Sequence, residues 1–390
     1  MQTLQSADKA LKTLYLGVIT EQMNTNVNPL LAKIKQSTTD VWGKEIKRLA
    51  QYGLNGGVGA GTEVGALPTS GENYYQQFTL SLKNLYGTIS ISDKAIRASS
   101  NNAGAFVNLL NAEMEGLLKA ASFNFGRMLY GDGTGLLATV TAVSDGYLTV
   151  DSVKNIAEGM IIDLKDQAGE NITGGSARRI TSIDRINKNV YLSGAPISQG
   201  DITTPCYVYM QNSYNNEITG LGAIFKDTGY LYGLSREQNK WLVPYMQTNV
   251  GEISESVIQK AIDDLEENAG SKVNFIVCSS GVKRAFINHL ATYKRNMDVM
   301  DLQGGYKALS FNGIPIVSDR FCPEGTMYLL NTDDFTMHQL CDWRWLEGED
   351  GKVLKQVAGT PTYTATLVKY ADLICAKPCG QGMLSGITEA

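Results

Sequence analysis

Few residues of this 390-residue sequence have the types and spacing that catalysis or metal binding requires. The two histidines, His289 and His338, lie in stretches that we predict to be ordinary helix or strand. Neither belongs to an HExxH zinc motif, and no serine stands in a Gly-x-Ser-x-Gly nucleophile motif. Triad chemistry and histidine-metal chemistry therefore have little support in the sequence.

Cysteines and aspartates give no better candidates. Cys375 and Cys379 form a Cys-x3-Cys pair, but structural zinc needs two more ligands and no second pair stands at a suitable spacing. All six cysteines lie in the C-terminal half, and we predict reduced, mostly structural thiols. Asp132 and the pair Asp333-Asp334 are predicted to form turns, because Asp and Gly favour turns. We expect no catalytic residue, no metal and no cofactor, and hence no enzyme.

Glycines dominate the tract from Tyr52 to Gly71. Its central part, Gly57–Gly65, has the glycine content of a phosphate-binding loop, but no hydrophobic strand precedes it and no Gly-Lys-Ser/Thr follows. We therefore predict no nucleotide site. Because glycine permits a wide range of backbone angles, we predict a flexible linker that leads to the next element.

The composition is that of a folded, slightly acidic protein with room for two or three domains. Hydrophobic residues make up 43% of the chain and charged residues 19%, and the formal net charge is −5. This charge argues against a dedicated nucleic-acid binder, which is normally basic. No run of about 18 apolar residues exists, and charged residues interrupt the segment from Met1 to Leu16, so we predict neither a membrane span nor a signal peptide.

The first 50 residues carry a small positive excess. Seven Lys and Arg residues minus four Asp and Glu residues give +3. We predict an arm with short helical stretches, whose cations either contact DNA phosphates or form a solvated surface. The candidate DNA-facing residues are Lys33, Lys35, Lys44, Lys47 and Arg48.

Apolar and polar residues alternate from Tyr74 to Ser92. Side chains alternate faces along a strand, so this pattern predicts two strands with a turn at Lys83-Asn84, and Gly87 is the weakest position. Such a two-stranded ribbon is marginal alone and needs a partner surface, which points toward assembly. The predicted contact residues are Tyr74, Tyr75, Phe78, Leu80, Leu82, Lys83, Leu85, Ile89 and Ile91.

A long amphipathic helix is predicted next. Asn101-Asn102 is a good start signal, and apolar residues then recur at three- and four-residue spacing up to Gly131. The helix would have about 28 residues and a length of ~42 Å, which suits a spine for other elements, with an ordinary core helix as the alternative. Its apolar stripe includes Phe106, Leu110, Met114, Leu117, Phe125 and Met128.

Short β-type runs separated by turns occupy residues 136–211 and indicate a small barrel or sandwich. Beyond Asn212 helices and strands alternate, which suggests a sheet covered by helices. The predicted elements there are a helix between Ser254 and Gly270, a strand from Val273 to Cys278, a helix from Gly281, a tight hairpin from Leu309 to Asp319, and strands at Thr326–Leu330 and Tyr363–Cys375.

The order of these features resembles one family. The segment Leu82–Ser92, the long helix and the motif Leu129–Gly135 look like the corresponding parts of the major capsid protein of tailed double-stranded DNA bacteriophages. The strand at Phe275–Cys278 and the hairpin at Phe311–Asp319 continue the resemblance, which covers about three quarters of the chain. No single motif is diagnostic, but their order is.

The resemblance implies an α+β fold of the Hong Kong 97 type with one addition. The β-rich segment departs from the minimal family pattern, and we interpret it as an inserted domain on the capsid surface. The implied segments are an N-terminal arm at 1–60, an extended hairpin called the E-loop at 61–100, a peripheral domain with the spine helix at 101–135 and 333–390, the β-rich insertion at 136–212, and an axial domain at 213–332.

By resemblance, the chain is a structural subunit that self-assembles as pentamers and hexamers into an icosahedral viral head around double-stranded DNA. Expected partners are a portal protein at one vertex, a separate scaffolding protein, decoration or cement proteins, and packaged DNA through sequence-independent contacts. The expected location is the virion capsid, assembled in the bacterial host cytoplasm, with no membrane contact. The hairpin should lie across a neighbouring subunit, and loops between Gly220 and Asp319 should meet at the capsomer axis.

Two behaviours known in the family are not expected here. Only about 50 residues precede the glycine tract, so we expect no removal of an N-terminal scaffolding segment. Lys83 and Asn84 sit at the predicted turn, but one lysine there is expected by chance, so we predict no isopeptide cross-link.

An encapsulin-like protein compartment is the alternative function, and a phage tail or decoration protein is a weaker one. Encapsulins resemble the minimal fold without a long β insertion, so residues 136–211 favour a phage shell. A tail tube protein would be mostly β and would lack the spine helix.

Overall fold

The computed structural model describes most of the chain from Asn28 to Ala390. The described residues are 28–39, 41, 45–95, 103–144, 146–197, 200, 202, 205–292, 299–302, 306–348 and 351–390. The predicted helix start at Asn101-Asn102 and the candidate Lys44 lie outside these ranges. Within them, no helix combines the length and the apolar character that a membrane crossing requires.

An antiparallel hairpin and a long helix dominate the N-terminal part. The elements are β1 (Lys35–Ser37), β2 (Ile46–Gln51), β3 (Tyr75–Leu80), β4 (Lys83–Ser92) and α1 (Ala103–Met128). β2 and β3 pair antiparallel, so that Ile46 lies opposite Leu80 and Gln51 opposite Tyr75. Residues 52–74, which contain the glycine tract, form the loop between these two strands.

Six strands form a closed barrel after α1. They are β5 (Leu136–Ser144), β6 (Tyr147–Val150), β7 (Ile161–Lys165), β8 (Arg178–Asp184), β9 (Asn189–Leu192) and β10 (Cys206–Met210). Around the barrel they follow the order β10, β5, β6, β9, β8, β7, and β7 closes it by pairing with β10. Buried residues such as Leu148, Val150 and Ile162 fill the interior. The prediction of a barrel or sandwich is therefore confirmed as a barrel.

The next part of the chain confirms the predicted alternation of helices and strands. Its elements are α2 (Leu221–Ile224), β11 (Tyr230–Leu231), β12 (Leu234–Ser235), β13 (Tyr245–Gln247), α3 (Glu255–Ala269), β14 (Phe275–Cys278), α4 (Ser280–Thr292), β15 (Val299–Leu302), β16 (Tyr306–Phe311), β17 (Ile314–Ser318) and β18 (Met327–Leu330). Ser254 caps α3 by accepting from Val257 N–H, and Gly270 ends the helix in the left-handed conformation. Asn312 and Gly313 both have positive φ between β16 and β17, as a two-residue hairpin turn requires.

Four strands complete two sheets. They are β19 (Phe335–Trp345), β20 (Lys355–Gln356), β21 (Thr362–Cys375) and β22 (Gly382–Leu384). A seven-stranded sheet has the order β13, β22, β18, β14, β17, β16, β15. A five-stranded sheet runs β1, β19, β21, β20, and β4 also pairs with β21. The predicted C-terminal strand is thus the central strand of the second sheet.

The long helix α1 packs across β4 at Gly87. A Cβ atom on Gly87 would lie 2.9 Å from Leu117 Cδ1, while Met114, Leu118 and Phe125 on the same helix are buried. Because Gly87 has no side chain, the helix can approach the strand closely at this position. This explains why a glycine interrupts the alternating pattern. With 26 residues, α1 is ~39 Å long, and the predicted long helix is confirmed.

The predicted ribbon from Tyr74 to Ser92 is wrong in its pairing. β3 pairs with β2, whereas β4 pairs with β21. Lys83-Asn84 is therefore not a hairpin turn but the start of β4, where the chain passes from one sheet to the other. Alternation shows that a residue belongs to a half-buried strand but not which strand it meets, because every such strand has the same period.

The short helices predicted for the arm are also wrong at residues 46–51. Residues 46–51, predicted to belong to an arm with short helices, form β2, so Lys47 and Arg48 lie on the hairpin. β2 and β3 form a hairpin over 46–80, and the glycine tract connects its strands instead of preceding them. The assignment of an E-loop to residues 61–100 stays a prediction. The sequence of β2 contains Lys, Arg, Leu, Ala and Gln, which favour helix in isolation, and pairing with β3 overrides that preference.

The end of α1 packs tightly against residues 220–222. Leu221 N–H donates to Leu129 O at 2.8 Å. A Cβ atom on Gly220 would lie 2.3 Å from Met128 O and 2.5 Å from Gly131 O. These neighbours are backbone atoms that cannot rotate away, so this crossing requires glycine.

We expect Gly220→Ala to destabilise the chain by about 1–3 kcal/mol or more, because overpacking against fixed atoms has costs of this size. The matched control is Gly116→Ala on the exposed side of α1, where a Cβ atom meets nothing within 4 Å. That change should stabilise the chain by about 0.5–1 kcal/mol, because alanine favours helix more than glycine. Denaturant unfolding of the unassembled chain measures both, and equal effects would contradict this packing.

Candidate assembly surface

An aromatic cluster packs against the β2–β3 hairpin. Phe78 on β3 is fully buried. Its ring centroid lies 5.1 Å from that of Tyr232 and 5.8 Å from that of Trp241. Tyr52, the first residue after β2, stacks on Trp241 at 5.2 Å with an interplanar angle of 7°. These rings hold β3 and the first residue of the loop against Trp241 and Tyr232, and their stacking adds to the energy of burial.

Tyr232 connects the hairpin to β21. Its backbone carbonyl accepts from Thr79 N–H at 3.0 Å. Its hydroxyl donates to Leu373 O at 3.1 Å and accepts from Cys375 N–H at 2.9 Å. Burial raises the pKa of Tyr232 well above its ordinary value, so the hydroxyl keeps its proton. One residue therefore joins the hairpin to the centre of the five-stranded sheet.

The loop between β2 and β3 exposes apolar side chains. Leu54, Val58, Val64 and Leu67 are 89–98% exposed. Single exposed apolar residues are normal on a protein surface, but four large ones in one loop are candidates for contact with another molecule. Burial of such side chains on a partner would stabilise the contact by roughly 25 cal/mol per Å². We call residues 52–74 the apolar loop.

The predicted contact residues fall into three groups. Tyr74 and Tyr75 are 52% and 53% exposed. Leu82 and Lys83 are half-buried. The chain's own core contains Phe78, Leu80, Leu85, Ile89 and Ile91. The most exposed apolar side chains therefore lie in the apolar loop, on the N-terminal side of the residues that the alternating pattern predicts as contacts. Its only sequence signal is the presence of large apolar residues among the glycines.

The spine-helix and arm candidates occupy different surroundings. The side chains of Phe106 and Leu110 lie outside those described. Of the other helix candidates, Met114, Phe125 and Met128 are buried and Leu117 is half-buried. Among the arm candidates, Lys33, Lys35 and Lys47 are exposed and Arg48 is half-buried. Contact of these cations with DNA stays a prediction.

The histidines and cysteines considered as catalytic or metal-binding candidates do not come together in one site. His289 lies on α4, and His338 is buried on β19. Cys375 and Cys379 are free thiols, and burial raises the pKa of both. In the described ranges, no group of three or more His, Cys, Asp or Glu side chains is arranged to hold a metal ion. Asp132 forms the predicted turn, since its carboxylate accepts from Thr134 N–H at 3.1 Å.

A buried ion pair ties the end of α1 to the segment that leaves the barrel. Arg127 Nη1 and Nη2 donate to Glu217 Oε2 and Oε1 at 2.9 and 2.5 Å. The two side chains are 3% and 2% exposed. Loss of one partner of such a pair leaves an uncompensated buried charge, which costs about 3–5 kcal/mol. The pair therefore links the chain just before the barrel strands to the chain just after them.

Asp372 on β21 forms hydrogen bonds with Thr219, two residues after Glu217. Its carboxylate accepts from Thr219 N–H at 2.6 Å, from the Thr219 hydroxyl at 3.2 Å and from Leu373 N–H at 2.8 Å. Burial is the largest influence and raises the pKa of Asp372 to about 6, while these hydrogen bonds and the charge of Lys83 lower it. Lys83 Nζ itself donates to Asn215 O at 3.2 Å, within the same chain.

Comparison with known proteins identifies the fold. No protein-family model and no curated protein sequence matches the chain. Among solved structures, a chain of the cyanophage A-1(L) capsid asymmetric unit is similar over 95% of this chain and 93% of that chain, with 14% identity and a TM-score of 0.57. The chain therefore shares the fold of this phage capsid chain, in agreement with the α+β Hong Kong 97 type that the resemblance implied.

Two looser similarities have TM-scores below 0.5. The capsid of Myoviridae phage XM1 aligns with 93% of this chain and 92% of that chain at 10% identity, with a TM-score of 0.45. The holo-SrpI encapsulin complex from Synechococcus elongatus PCC 7942 aligns with 93% of this chain and 89% of that chain at 8% identity, with a TM-score of 0.43.

We predict that protonation of Asp372 stabilises the chain. Its pKa in the folded chain, about 6, exceeds the ordinary value of 3.8, so between these values the folded state binds a proton that the unfolded state lacks. Stability from this group is therefore present at low pH and lost as pH rises through about 6. Asp372→Asn lacks this titration, so its stability relative to the parent should fall by about 1.4 kcal/mol per pH unit as pH falls through this window.

Denaturant unfolding at a series of pH values measures this difference. Lys83→Met provides a second check, because it removes a positive charge that lowers the pKa of Asp372 and should extend the window to higher pH. A stability difference between Asp372→Asn and the parent that does not vary with pH would show that Asp372 is not the titrating group.

Proposed function

We propose that this chain is a major capsid protein, the structural subunit of an icosahedral phage head that encloses double-stranded DNA. The observation that supports this most directly is the fold shared with a cyanophage capsid chain over 95% of the sequence. The apolar loop supports it independently, because it offers large apolar side chains that the chain itself leaves uncovered. The proposed role is structural, with no catalytic step and no cofactor.

In the proposed shell, the chains associate as pentamers and hexamers. The hairpin of residues 46–80 serves as the E-loop and lays its apolar loop across a neighbouring subunit. α1 with the five-stranded sheet forms the peripheral domain, and the seven-stranded sheet forms the axial domain, whose loops between Gly220 and Asp319 meet at the capsomer axis. The barrel is an inserted domain on the capsid surface, and the N-terminal arm reaches a further neighbour.

Modest energies per contact are enough for such a shell. An apolar side chain of this size contributes about 1.5–3 kcal/mol when fully buried, and part of that is offset by the ordering of the loop. Each subunit donates one loop and receives one, so the contact repeats around a closed ring. Because every 1.4 kcal/mol changes an equilibrium constant about tenfold, several weak contacts stabilise the complete shell while single misplaced subunits still dissociate.

The proposal includes the partners that a phage head needs. These are a portal protein at one vertex, a separate scaffolding protein, and decoration or cement proteins, with assembly in the bacterial host cytoplasm. Contact with packaged DNA is sequence-independent and weakens with salt, because it involves phosphates. The exposed Lys33, Lys35 and Lys47 supply cations for it, while the net charge of −5 keeps the attraction weak.

Electron microscopy of the purified chain, expressed alone and together with the adjacent genes of its source, tests the proposal. We expect icosahedral shells or rings of five and six subunits. A chain that stays monomeric or forms only small oligomers with those genes present would refute the shell. Shells that enclose protein cargo and exclude DNA would instead favour an encapsulin-like compartment.

We expect the combined change Leu54→Ser, Val58→Ser and Leu67→Ser to impair assembly without unfolding the chain. These side chains are exposed in the isolated chain, so its free energy of unfolding should change by less than about 0.5 kcal/mol per site. Loss of their burial on a neighbour should raise the concentration needed for assembly by about tenfold or more. Light scattering against protein concentration measures this threshold.

The matched control changes polar residues of the same loop, Thr69→Ala with Glu72→Gln, and should assemble as the parent does. Assembly of the triple variant at the parent's concentration would mean that the apolar loop makes no stabilising contact.

A further inference from the structure

Asn-Gly pairs occur twice in the chain, and the two pairs have different surroundings. Asn55-Gly56 stands near the start of the apolar loop, whereas Asn312-Gly313 forms the turn between β16 and β17. In such a pair the backbone nitrogen of the glycine can attack the side-chain carbonyl carbon of the asparagine. Glycine favours this attack, because it has no side chain in the way and its backbone takes many conformations. Each pair is therefore a candidate site for spontaneous loss of the asparagine amide.

The Asn55 side chain is folded over the peptide that would attack it. Asn55 Oδ1 accepts from Gly57 N–H at 2.9 Å, which makes a turn that encloses the Gly56 nitrogen. This hydrogen bond draws electrons from the side-chain carbonyl and stabilises the negative charge that develops on its oxygen during attack. Asn55 and Gly56 are both exposed, so water and hydroxide reach the site.

The far side of the apolar loop packs against this turn. A Cβ atom on Gly71 would lie 2.5 Å from Gly56 N and 2.6 Å from Asn55 Oδ1. These close contacts limit how far the Asn55 side chain can turn away from the Gly56 nitrogen. A Cβ atom on Gly56 would meet nothing within 4 Å, so the attacking peptide itself has room to rotate. The loop thus keeps the two reacting groups close together without blocking the attack.

The second pair is held in a geometry that opposes the reaction. Asn312 and Gly313 have φ angles of 51° and 79°, which the pairing of β16 with β17 fixes. Asn312 Nδ2 also donates to Gln259 Oε1 at 2.7 Å. Ring closure at Asn312 would require the hairpin turn to change its conformation and this hydrogen bond to break. Asn312 is therefore an internal reference for the reaction at Asn55.

We propose that Asn55 deamidates spontaneously in the unassembled chain and that the product assembles less well. The Gly56 nitrogen gives its proton to hydroxide and forms a bond to Asn55 Cγ, and the Cγ–Nδ2 bond breaks, so that ammonia leaves. Water then adds to one of the two carbonyl carbons of the resulting succinimide ring and opens it to aspartate or isoaspartate. The sum is asparagine plus water giving a carboxyl group plus ammonia, with no oxidant, reductant or enzyme.

The product changes the apolar loop in two ways. A carboxylate now stands beside Leu54, and its burial on a partner costs free energy unless a cation meets it. Isoaspartate also lengthens the backbone next to Gly57, where a Cβ atom would already lie 2.7 Å from Gly71 N. The chemical step does not rest on the proposed function, whereas its effect on assembly does.

Mass spectrometry of peptides from the unassembled chain, incubated at mildly alkaline pH, tests the chemical step. We expect the peptide with Asn55 to convert to two species with the mass of the aspartate form, several times faster than the peptide with Asn312. Gly56→Ala should slow this conversion severalfold, and it should fold as the parent does because its Cβ atom meets nothing. Asn55 that lasts as long as Asn312, or that converts equally fast in Gly56→Ala, would overturn the proposal.

Assembly of defined variants tests the consequence. Asn55→Asp reproduces one product and should raise the concentration needed for assembly by about tenfold, because an unpaired carboxylate opposes burial. Asn55→Ser is the neutral control, and it should assemble as the parent does and keep this ability through the incubation that impairs the parent. Asn55→Asp that assembles at the parent's concentration would show that deamidation has no effect on assembly, contrary to the proposal.

The outcomes separate this inference from the proposed function. Rapid conversion of Asn55 in a parent chain that never forms particles supports the chemical step and contradicts the shell. Asn55 that stays intact in a parent chain that does form particles overturns the inference and leaves the shell proposal standing.

Discussion

The structure depends on the anchoring of one hairpin that is too small to be stable by itself. In the described part of the chain, β2 and β3 pair only with each other, and an isolated two-stranded hairpin has little stability in water. Its order comes from Phe78, packed between the rings of Tyr232 and Trp241, and from the hydrogen bonds of Tyr232. The core of the chain thus holds the paired strands, while Leu54, Val58, Val64 and Leu67 of the apolar loop are left exposed.

Strand β21 is the common support of the other parts. It pairs with β19 and with β4, and α1 packs on β4 at Gly87. Its Asp372 binds Thr219, which follows the barrel strands, and its Cys375 N–H donates to Tyr232, which contacts the hairpin. Hairpin, helix and barrel are therefore positioned relative to one strand. The proposed shell would benefit from this arrangement, because its repeated contacts would require the same geometry in every copy.

Local signals in the sequence predict much of this fold, and the pairing of distant strands escapes them. The cap at Ser254, the turn at Asn312-Gly313 and the barrel strands all follow from residue types at short spacing. β19 gives no such signal, because bulges interrupt its register between Gln339 and Arg344 and break the alternation. The apolar loop is missed for another reason: large apolar residues scattered among glycines have no period that would indicate which surface covers them.

A cryo-electron microscopy reconstruction of assembled particles that resolves side chains tests the central claim most directly. The account predicts that Leu54, Val58, Val64 and Leu67 are buried against an adjacent subunit, while Phe78 keeps its contacts with Tyr232 inside its own chain. A shell in which the apolar loop stays exposed to solvent, with subunits joined through other surfaces, would contradict the account.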